Sequence, residues 1–195
     1  VKHQKIFSDI PADGRMAPLL ERLATRNTDA LIGAVASVLK FEGIELVDST
    51  LFLEPLLPEP GILTKRAPDK HEAADIAYGR QIARQIAGLD LGQTVVVAER
   101  ACVAIEAMEG TDETIERAAR LAGGTPLVVV KVSKPHQDMR FDVPVVGLRT
   151  LKAMIDVKAR VLAVEAKKSI LLQREHFLKE AEEAGISVVG HRDTH

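Results

Sequence analysis

The chain is poor in aromatic residues. Aromatic side chains make up 3% of its 195 residues, tryptophan is absent, and tyrosine occurs once. Because proteins that bind single-stranded nucleic acid stack bases on aromatic side chains, this scarcity argues against that function. The hydrophobic core must therefore be built from Val, Leu, Ile and Ala.

Cysteine is also scarce, since Cys102 is the single one. An internal disulfide is excluded, and the apolar neighbours of Cys102 indicate a small core residue in a reducing compartment. No apolar run approaches the roughly 20 residues that cross a bilayer, and no segment resembles a signal peptide. We therefore predict a cytoplasmic location.

No charge of one sign is in excess. The chain has 26 Lys and Arg against 28 Asp and Glu, a net charge of −2, with the basic residues spread along it. The electrostatic footprint of a duplex-binding protein is thus missing, and nucleic acid is not the expected partner. The chain also has no Walker-type glycine loop, G-x-S-x-G elbow or H-E-x-x-H motif, which disfavours those enzyme classes.

Three prolines, Pro55, Pro58 and Pro60, interrupt an apolar stretch and mark the best candidate for a domain boundary. Before it, helical spacing from Met16 predicts two helices, followed by a short strand at "IELVD". The chain begins without methionine, so we expect an incomplete N-terminal portion at residues 1–50. Residues 51–195 are predicted to form a separate C-terminal domain.

After the boundary, predicted strands and helices alternate in a regular way. "VVVAERACVAIEAME" and "VLAVEAKKSILLQ" each predict a β-hairpin, and "ISVVG" predicts a last strand. Since hairpins impose antiparallel neighbours on an otherwise α/β pattern, we predict an α/β sandwich with a mixed sheet. The similar pieces "VAIEA" and "LAVEA" indicate either an internal duplication or two ordinary Val/Ala strands.

Ligands of α/β sheets gather beyond strand ends, and two predicted strand-to-helix junctions are rich in polar residues. The first is "EAMEGTDE", in which Gly110 and Thr111 precede a helix whose free N–H groups would attract phosphate. Glu109 and Asp112 would repel phosphate unless a divalent cation lay between. The alternative is a capped helix with a solvated acidic first turn.

The second junction is "KVSKPHQDMRFDVPVVG", Lys131 to Gly147. Lys131 interrupts a run of valines, and a lysine in a buried strand needs a carboxylate or an anionic ligand. Lys134 and Arg140 add cationic donors for phosphate, and Asp138 and Asp142 add oxygen ligands for Mg²⁺. This combination suits metal-dependent phosphoryl transfer. The alternative is a loop closed by internal salt bridges.

The histidines are weaker candidates. His136 lies next to a proline without a second histidine or cysteine at ligand spacing, so we interpret it as a surface residue. His191 and His195 are predicted to be tail residues.

These motifs, together with "GILTKRAP" and "VLAVEAKKSILLQREHFLKEAEEAGISVVG", resemble the UDP-2,3-diacylglucosamine pyrophosphatases of lipid A biosynthesis. The resemblance is to the type unrelated to the calcineurin-like enzymes and covers nearly the whole chain. It implies that residues 1–50 are the end of a Rossmann-like N-terminal domain and the linker after it, and that residues 51–195 are the C-terminal catalytic α/β domain. It also implies Mg²⁺-dependent hydrolysis of the lipid-linked nucleotide sugar to UMP and 2,3-diacylglucosamine 1-phosphate. A homodimer and peripheral contact with the inner face of the inner membrane are expected as well.

The resemblance also implies roles for individual residues, because Glu106 to Asp112 match an E-A-x-E-G-T-D element and Gln137 to Pro144 a Q-D-x-R-x-D-x-P element. The implied catalytic residues are Asp138, Asp142 and Lys134; the substrate-binding residues are Thr64, Gly110, Thr111, Lys131, Gln137 and Arg140; the metal ligands are Asp138, Asp112 and Glu109. Asp138 is the first candidate for the indispensable carboxylate. A non-catalytic domain that binds a nucleotide sugar or sugar phosphate is the alternative.

A diacylated substrate requires apolar surface, and "LFLEPLLPEPGIL" is an apolar segment that proline keeps out of a helix. We hypothesise that this segment, with Leu56 and Leu57 as the residues to test, lines an acyl groove or the interdomain cleft. The alternative is a hydrophobic linker that packs over the core.

Overall fold

The computed structural model describes residue 18, residues 28–135 and residues 137–192. The chain divides into two compact units, Val1–Asp48 and Ser49–His195, and each is described by itself. Among the described residues, no helix is long and apolar enough to cross a membrane.

In the first unit, helix α1 spans Thr28–Phe41. The other predicted helix of this part, after Met16, lies almost wholly outside the described residues. The strand predicted at "IELVD" is wrong, because residues 44–48 are irregular. Gly43, with a φ of 79°, ends the helix, and Ile44 and Val47 after it are exposed. A strand needs a neighbour for its backbone groups, and no described strand pairs with this segment.

The second unit alternates strands and helices after a short 3-10 turn at Glu54–Leu56. Its strands are β1 (Gly61–Ile62), β2 (Thr94–Ala98), β3 (Ala101–Ile105), β4 (Val128–Lys131), β5 (Val145–Val146), β6 (Val161–Glu165), β7 (Ile170–Leu171) and β8 (Ser187–His191). Its helices are α2 (Lys70–Gly88), α3 (Thr111–Ala122), α4 (Leu148–Asp156) and α5 (Arg174–Glu183).

Six of the strands form one mixed sheet in the order β1-β8-β6-β4-β2-β3. Strands β4, β6 and β8 are parallel, β2 is antiparallel to both β4 and β3, and β1 is antiparallel to β8. Helix α2 packs on one face, where Ile76 and Ala83 join a valine-rich cluster. Helices α3, α4 and α5 cover the other face through residues such as Ile115, Met154 and Phe177. The predicted mixed-sheet α/β sandwich is confirmed.

The first predicted hairpin is confirmed, since β2 and β3 pair antiparallel. Its two-residue turn places Glu99 and Arg100 at φ values of 50° and 58°. Such a turn favours Asn-Gly because both residues are left-handed. Here the buried Asp75 of α2 accepts hydrogen bonds from the N–H of Glu99 at 3.2 Å and of Arg100 at 2.6 Å, which stabilises the turn without glycine.

The second predicted hairpin is wrong. Strand β6 lies between β4 and β8 and is parallel to both, while β7 pairs with β5 in a separate two-stranded sheet. "VAIEA" and "LAVEA" thus lie in strands with different neighbours, so they do not form repeated hairpins. The backbone hydrogen-bonding groups of β6 are therefore paired with two strands that are distant from it in sequence.

Cys102 is partly buried and packs against the cluster under α2. Burial raises the pKa of its thiol, which keeps it in the unreactive thiol form. The interpretation of His191 as a tail residue is wrong, because it ends β8 and is buried. Its backbone accepts a hydrogen bond from Ala166 N–H at 2.9 Å, which orders the chain there. His136 and His195 lie outside the described residues.

Candidate active site at the carboxyl edge of the sheet

The parallel strands bring polar residues to one edge of the sheet. Strands β3, β4, β6 and β8 run in the same direction, since β3 and β4 are both antiparallel to β2. Their last residues, Ile105, Lys131, Glu165 and His191, therefore lie at one end of the sheet, the carboxyl edge. Both sequence junctions with polar motifs leave from this edge, as expected for a ligand site in an α/β fold.

Lys131 is the centre of a small hydrogen-bonded cluster at this edge. Its side chain is buried, and Lys131 Nζ donates to Thr111 Oγ1 at 2.7 Å. Thr111 Oγ1 in turn donates to Glu106 Oε1 at 2.7 Å and lies 3.4 Å from the hydroxyl of Thr94. Among the described residues, no carboxylate oxygen lies within 4.0 Å of Lys131 Nζ. A buried ammonium without a direct carboxylate partner is costly unless an anion arrives.

Close backbone packing positions Glu106 in this cluster. The Gln93 N–H donates to Glu106 Oε2 at 3.3 Å, and Glu106 N–H donates to Thr94 O at 2.8 Å. A Cβ at Gly92 would lie 2.0 Å from the backbone oxygen of Glu106. Only glycine therefore allows the start of β2 to approach the end of β3 this closely.

We expect Gly92→Ala to lower the free energy of unfolding by about 1–3 kcal/mol, because Glu106 must move to admit the methyl group. Urea denaturation with an unchanged m-value would measure the loss. Gly88→Ala is the matched control, since the nearest atom to its Cβ is 3.7 Å away. Equal midpoints for Gly92→Ala and the wild type would contradict the expected contact.

Helix α3 begins at the same edge. Its N-cap, Gly110, has a φ of 92° and makes no side-chain cap hydrogen bond, so a side chain here would be strained. The first residue of the helix, Thr111, contacts Lys131, so the two junctions meet at the carboxyl edge. The carboxylates of the same turn point to other partners.

Asp112 and Glu109 each bind neighbouring side chains. Asp112 Oδ1 accepts from Thr150 Oγ1 at 2.6 Å, which ties α3 to the start of α4. Glu109 Oε1 accepts from Arg117 Nη2 at 2.5 Å and from Thr114 Oγ1 at 3.2 Å. Burial raises the pKa of Glu109, but hydrogen bonds from its own backbone N–H and from Arg117 outweigh burial, so the pKa lies below its ordinary value.

Residues 132–144, the charged loop, connect β4 to β5 and contain the second motif. The side chain of Gln137 connects both halves of the loop through hydrogen bonds. Its Oε1 accepts from Lys134 N–H at 3.2 Å, and its Nε2 donates to Phe141 O at 3.0 Å and to Asp142 O at 3.3 Å. Ser49 donates through its hydroxyl to Met139 O at 2.7 Å. Gln137 thus shapes the loop, in addition to any contact with substrate.

Asp138 and Arg140 form an exposed pair on the charged loop. Asp138 Oδ2 accepts from Arg140 Nη2 at 2.6 Å, and Oδ1 accepts from Arg140 Nε at 2.9 Å. The Arg140 guanidinium holds the pKa of the Asp138 carboxyl below its usual range, and it also lies 5.0 Å from the Phe141 ring centroid. Asp138 is therefore an ionised, solvent-accessible carboxylate of defined orientation.

Lys134 forms an ion pair outside the loop. Lys134 Nζ lies 2.6 Å from Asp90 Oδ1, just after α2. The alternative of a loop closed by internal salt bridges is therefore partly realised, in the Asp138–Arg140 pair, while Lys134 joins the loop to another element. Asp142 is exposed and left-handed, with a φ of 48°, and only its backbone oxygen takes part in the loop hydrogen bonds described above.

The carboxylates predicted as metal ligands do not converge. Asp138 binds Arg140, Asp112 binds Thr150, and Glu109 binds Arg117. Within the ranges that the structure describes, no group of three or more His, Cys, Asp or Glu side chains is arranged to hold a metal ion. The residues present thus do not fit a metal held by this trio.

Thr64 is not brought to the carboxyl edge. Its hydroxyl accepts from Val188 N–H at 2.9 Å and lies 3.3 Å from Arg66 O. Val188 is the second residue of β8, so Thr64 lies toward the amino end of that strand. Its contacts with the described residues are those of a buried threonine that links the segment after β1 to β8.

Sequence reasoning missed Glu165 and Ser133. Glu165 is buried, and its Oε2 accepts from Ser133 N–H at 2.8 Å and from the Ser133 hydroxyl. The signal was the one that identified Lys131: a charged residue at the end of an apolar strand, "VLAVE". It was overlooked because the strand was interpreted as half of a hairpin.

The proline-containing apolar segment packs under the charged loop. Leu57, Val143 and Ile170 form a small buried cluster, against which Leu56 and Met139 pack. Leu57 therefore serves as support for the loop, in line with the alternative of a hydrophobic linker over the core. Exposed apolar side chains lie elsewhere near the carboxyl edge, at Leu89, Leu91 and Met108.

Two comparisons with known proteins bear on this arrangement. Residues 59–189 match the family model described as the LpxI C-terminal domain. The chain is also 31% identical over 194 residues to the UDP-2,3-diacylglucosamine pyrophosphatase LpxI of Caulobacter vibrioides, and the match covers 94% of this chain and 69% of that protein.

Proposed function

Because the chain belongs to the LpxI family, we propose that it is a hydrolase that cleaves the diphosphate of UDP-2,3-diacylglucosamine. The products are UMP and 2,3-diacylglucosamine 1-phosphate, an intermediate of lipid A biosynthesis. The observation that supports this most directly is Lys131, a buried cation at the carboxyl edge without a carboxylate within 4.0 Å among the described residues. The anionic diphosphate is a partner of the required charge.

The reaction adds water to one phosphorus and breaks the bridging P–O bond, so that the bridging oxygen leaves with the other phosphate. In this proposal Lys131 and Arg140 stabilise the charge that develops on the phosphate oxygens. Asp138 is ionised and accessible, and it accepts a hydrogen bond from the attacking water to orient it. The proton released by the water passes to solvent.

Exposed apolar side chains beside the edge support an acylated substrate. Leu91 and Met108 are 56% and 59% exposed, one next to Gly92 and the other two residues after Glu106. In this proposal they contact the first methylenes of an acyl chain. The Leu56 and Leu57 groove is a weaker candidate, because Leu57 packs into the cluster under the charged loop.

The test is to incubate the protein with UDP-2,3-diacylglucosamine and measure UMP release. Release of UMP with equal 2,3-diacylglucosamine 1-phosphate supports the proposal. The other candidate is a domain that binds the nucleotide sugar without turnover, since the buried Lys131 would also serve to bind an anionic ligand. Saturable binding of the substrate without UMP release would support that candidate instead.

The Mg²⁺ requirement implied by the resemblance remains a prediction, and no step above is assigned to a metal. We expect EDTA to lower UMP release by about 100-fold or more, and Mg²⁺ to restore it, because Mg²⁺ commonly binds through substrate phosphates with few protein ligands. Full turnover in EDTA would contradict this requirement.

Further parts of the proposal concern the whole protein. We place it in the cytoplasm as a homodimer in peripheral contact with the inner face of the inner membrane. Residues 1–50 are proposed to be the end of a Rossmann-like domain and the linker after it. Sedimentation of the chain tests the homodimer, and flotation with anionic vesicles tests the membrane contact.

A further inference from the structure

Glu165 is a buried carboxylate with an unusual set of partners. It is the last residue of β6 and is 3% exposed. Its Oε2 accepts from both the N–H and the hydroxyl of Ser133, and its Oε1 lies 3.6 Å from Lys168 Nζ. Both polar hydrogens of Ser133 thus converge on one carboxylate oxygen.

This arrangement is not needed to pair the strands. The other residues of β6 are Val161, Leu162, Ala163 and Val164, all of them buried, and an apolar residue at position 165 would continue the pattern. Burying a carboxylate costs free energy unless hydrogen bonds compensate, and replacing a buried ion pair as a whole by apolar residues is often neutral or stabilising. The carboxylate therefore calls for an explanation beyond packing.

Ser133 lies at the start of the charged loop, two residues after the end of β4. From there the loop continues through a series of hydrogen bonds: Lys134 N–H to Gln137 Oε1, and Gln137 Nε2 to Phe141 O. Two backbone–backbone hydrogen bonds within the described part of this loop join Gln137 N–H to Lys134 O and Phe141 N–H to Asp138 O. Ser133 is thus one of the points that fix the loop, beside Lys134, which pairs with Asp90, and Met139, whose backbone oxygen accepts from Ser49.

We propose that Glu165 is a positioning residue that orients the charged loop by fixing both polar hydrogens of Ser133. Through Ser133 it determines where Asp138 and Arg140 lie relative to Lys131. The inference rests on the proposed function, since it assigns the loop's orientation to the same diphosphate-cleaving site. Glu165 itself contacts no substrate in this proposal.

The test compares Glu165→Gln and Ser133→Ala with the wild type. An amide at position 165 weakens both hydrogen bonds, and alanine at position 133 removes the hydroxyl while the backbone N–H stays. Small displacements of catalytic groups cost large factors in rate, so we expect each variant to lower kcat about 10- to 100-fold with KM little changed. The double variant is expected to be no worse than Glu165→Gln, because both changes remove one interaction.

Hydrogen exchange gives a second readout that does not depend on turnover. Peptides covering residues 132–144 are expected to exchange faster in both variants, while peptides of β2 keep their wild-type rate. Glu182→Gln is the matched control, since Glu182 also accepts from a backbone N–H and pairs with a lysine, Lys65. It is expected to leave kcat and loop exchange unchanged.

The outcomes separate the two proposals. No UMP from the wild type would reject the proposed function, and loop exchange in the variants would still decide the positioning role. Wild-type kcat and loop exchange in both folded variants would overturn the inference. A uniform rise of exchange across all strands would also overturn it, because Glu165 would then stabilise the whole fold. Should Glu165→Gln fail to fold, Ser133→Ala decides alone.

Discussion

Replacing Asp138 by Asn is expected to lower kcat for UMP release by about 10²- to 10⁴-fold, the usual contribution of a group that manages a proton or orients the nucleophile. Asp138 is exposed and its main partners are the side chain and N–H of Arg140. The amide keeps the shape of the side chain but loses the charge that orients water. Because an exposed ion pair contributes little to stability, the thermal midpoint is expected to change little.

The pH dependence follows from the direction of the pKa shift. The Arg140 guanidinium lowers the pKa of Asp138, so the carboxylate is already ionised above its unfolded pKa near about 3.9. Its pairing with Arg140 is present above that pH and is lost as the pH falls through the folded pKa. The defect of Asp138→Asn is therefore expected to be constant between about pH 6 and 9.

Asp156→Asn is the matched control, since Asp156 is an exposed carboxylate that pairs with Lys152 on α4. It is expected to leave both kcat and the thermal midpoint unchanged. If a folded Asp138→Asn protein released UMP at the control's rate, Asp138 would have no part in the reaction. The charged loop would then be a salt-bridged surface loop.

Local patterns predicted the parts of the fold that depend on local interactions. The β2–β3 hairpin follows from two apolar runs around "ER". The same reasoning failed for "VLAVEAKKSILLQ", because β6 pairs with β4 and β8 through contacts distant in sequence. No local sequence pattern predicts that Ile170 and Leu171 form a parallel strand pair with Val145 and Val146. Parallel pairing is decided by the whole sheet.

The sequence likewise predicted some residues of the candidate site but not their contacts. A lysine inside a valine run and a glycine before a helix identified Lys131 and Thr111, and the common edge brings them together. The hydrogen-bond partners of Asp112 and Glu109 could not be predicted from the motif. They depend on the direction that each side chain takes near the first turn of the helix. Thr64 was named by resemblance alone, and its hydroxyl binds a strand backbone.

Lys131 offers the sharpest test, because function and stability are expected to respond in opposite directions. Lys131 Nζ donates to Thr111 Oγ1 and has no carboxylate within 4.0 Å among the described residues. Methionine has a similar length and is apolar, so Lys131→Met removes a buried charge without leaving a cavity. Replacing a buried charge that has no direct carboxylate partner removes its desolvation cost. The thermal midpoint is therefore expected to stay level or rise.

The same substitution is expected to lower kcat/KM by about 10²- to 10³-fold, the cost of removing one group that stabilises charge developing on an oxygen. UMP release and thermal unfolding measure the two effects on one sample. Lys152→Met is the matched control, because Lys152 is exposed and pairs with Asp156. A midpoint well below wild type would show that Lys131 serves the fold through Thr111 and Glu106. A higher midpoint with lost turnover would show that the cluster keeps a buried cation for its substrate.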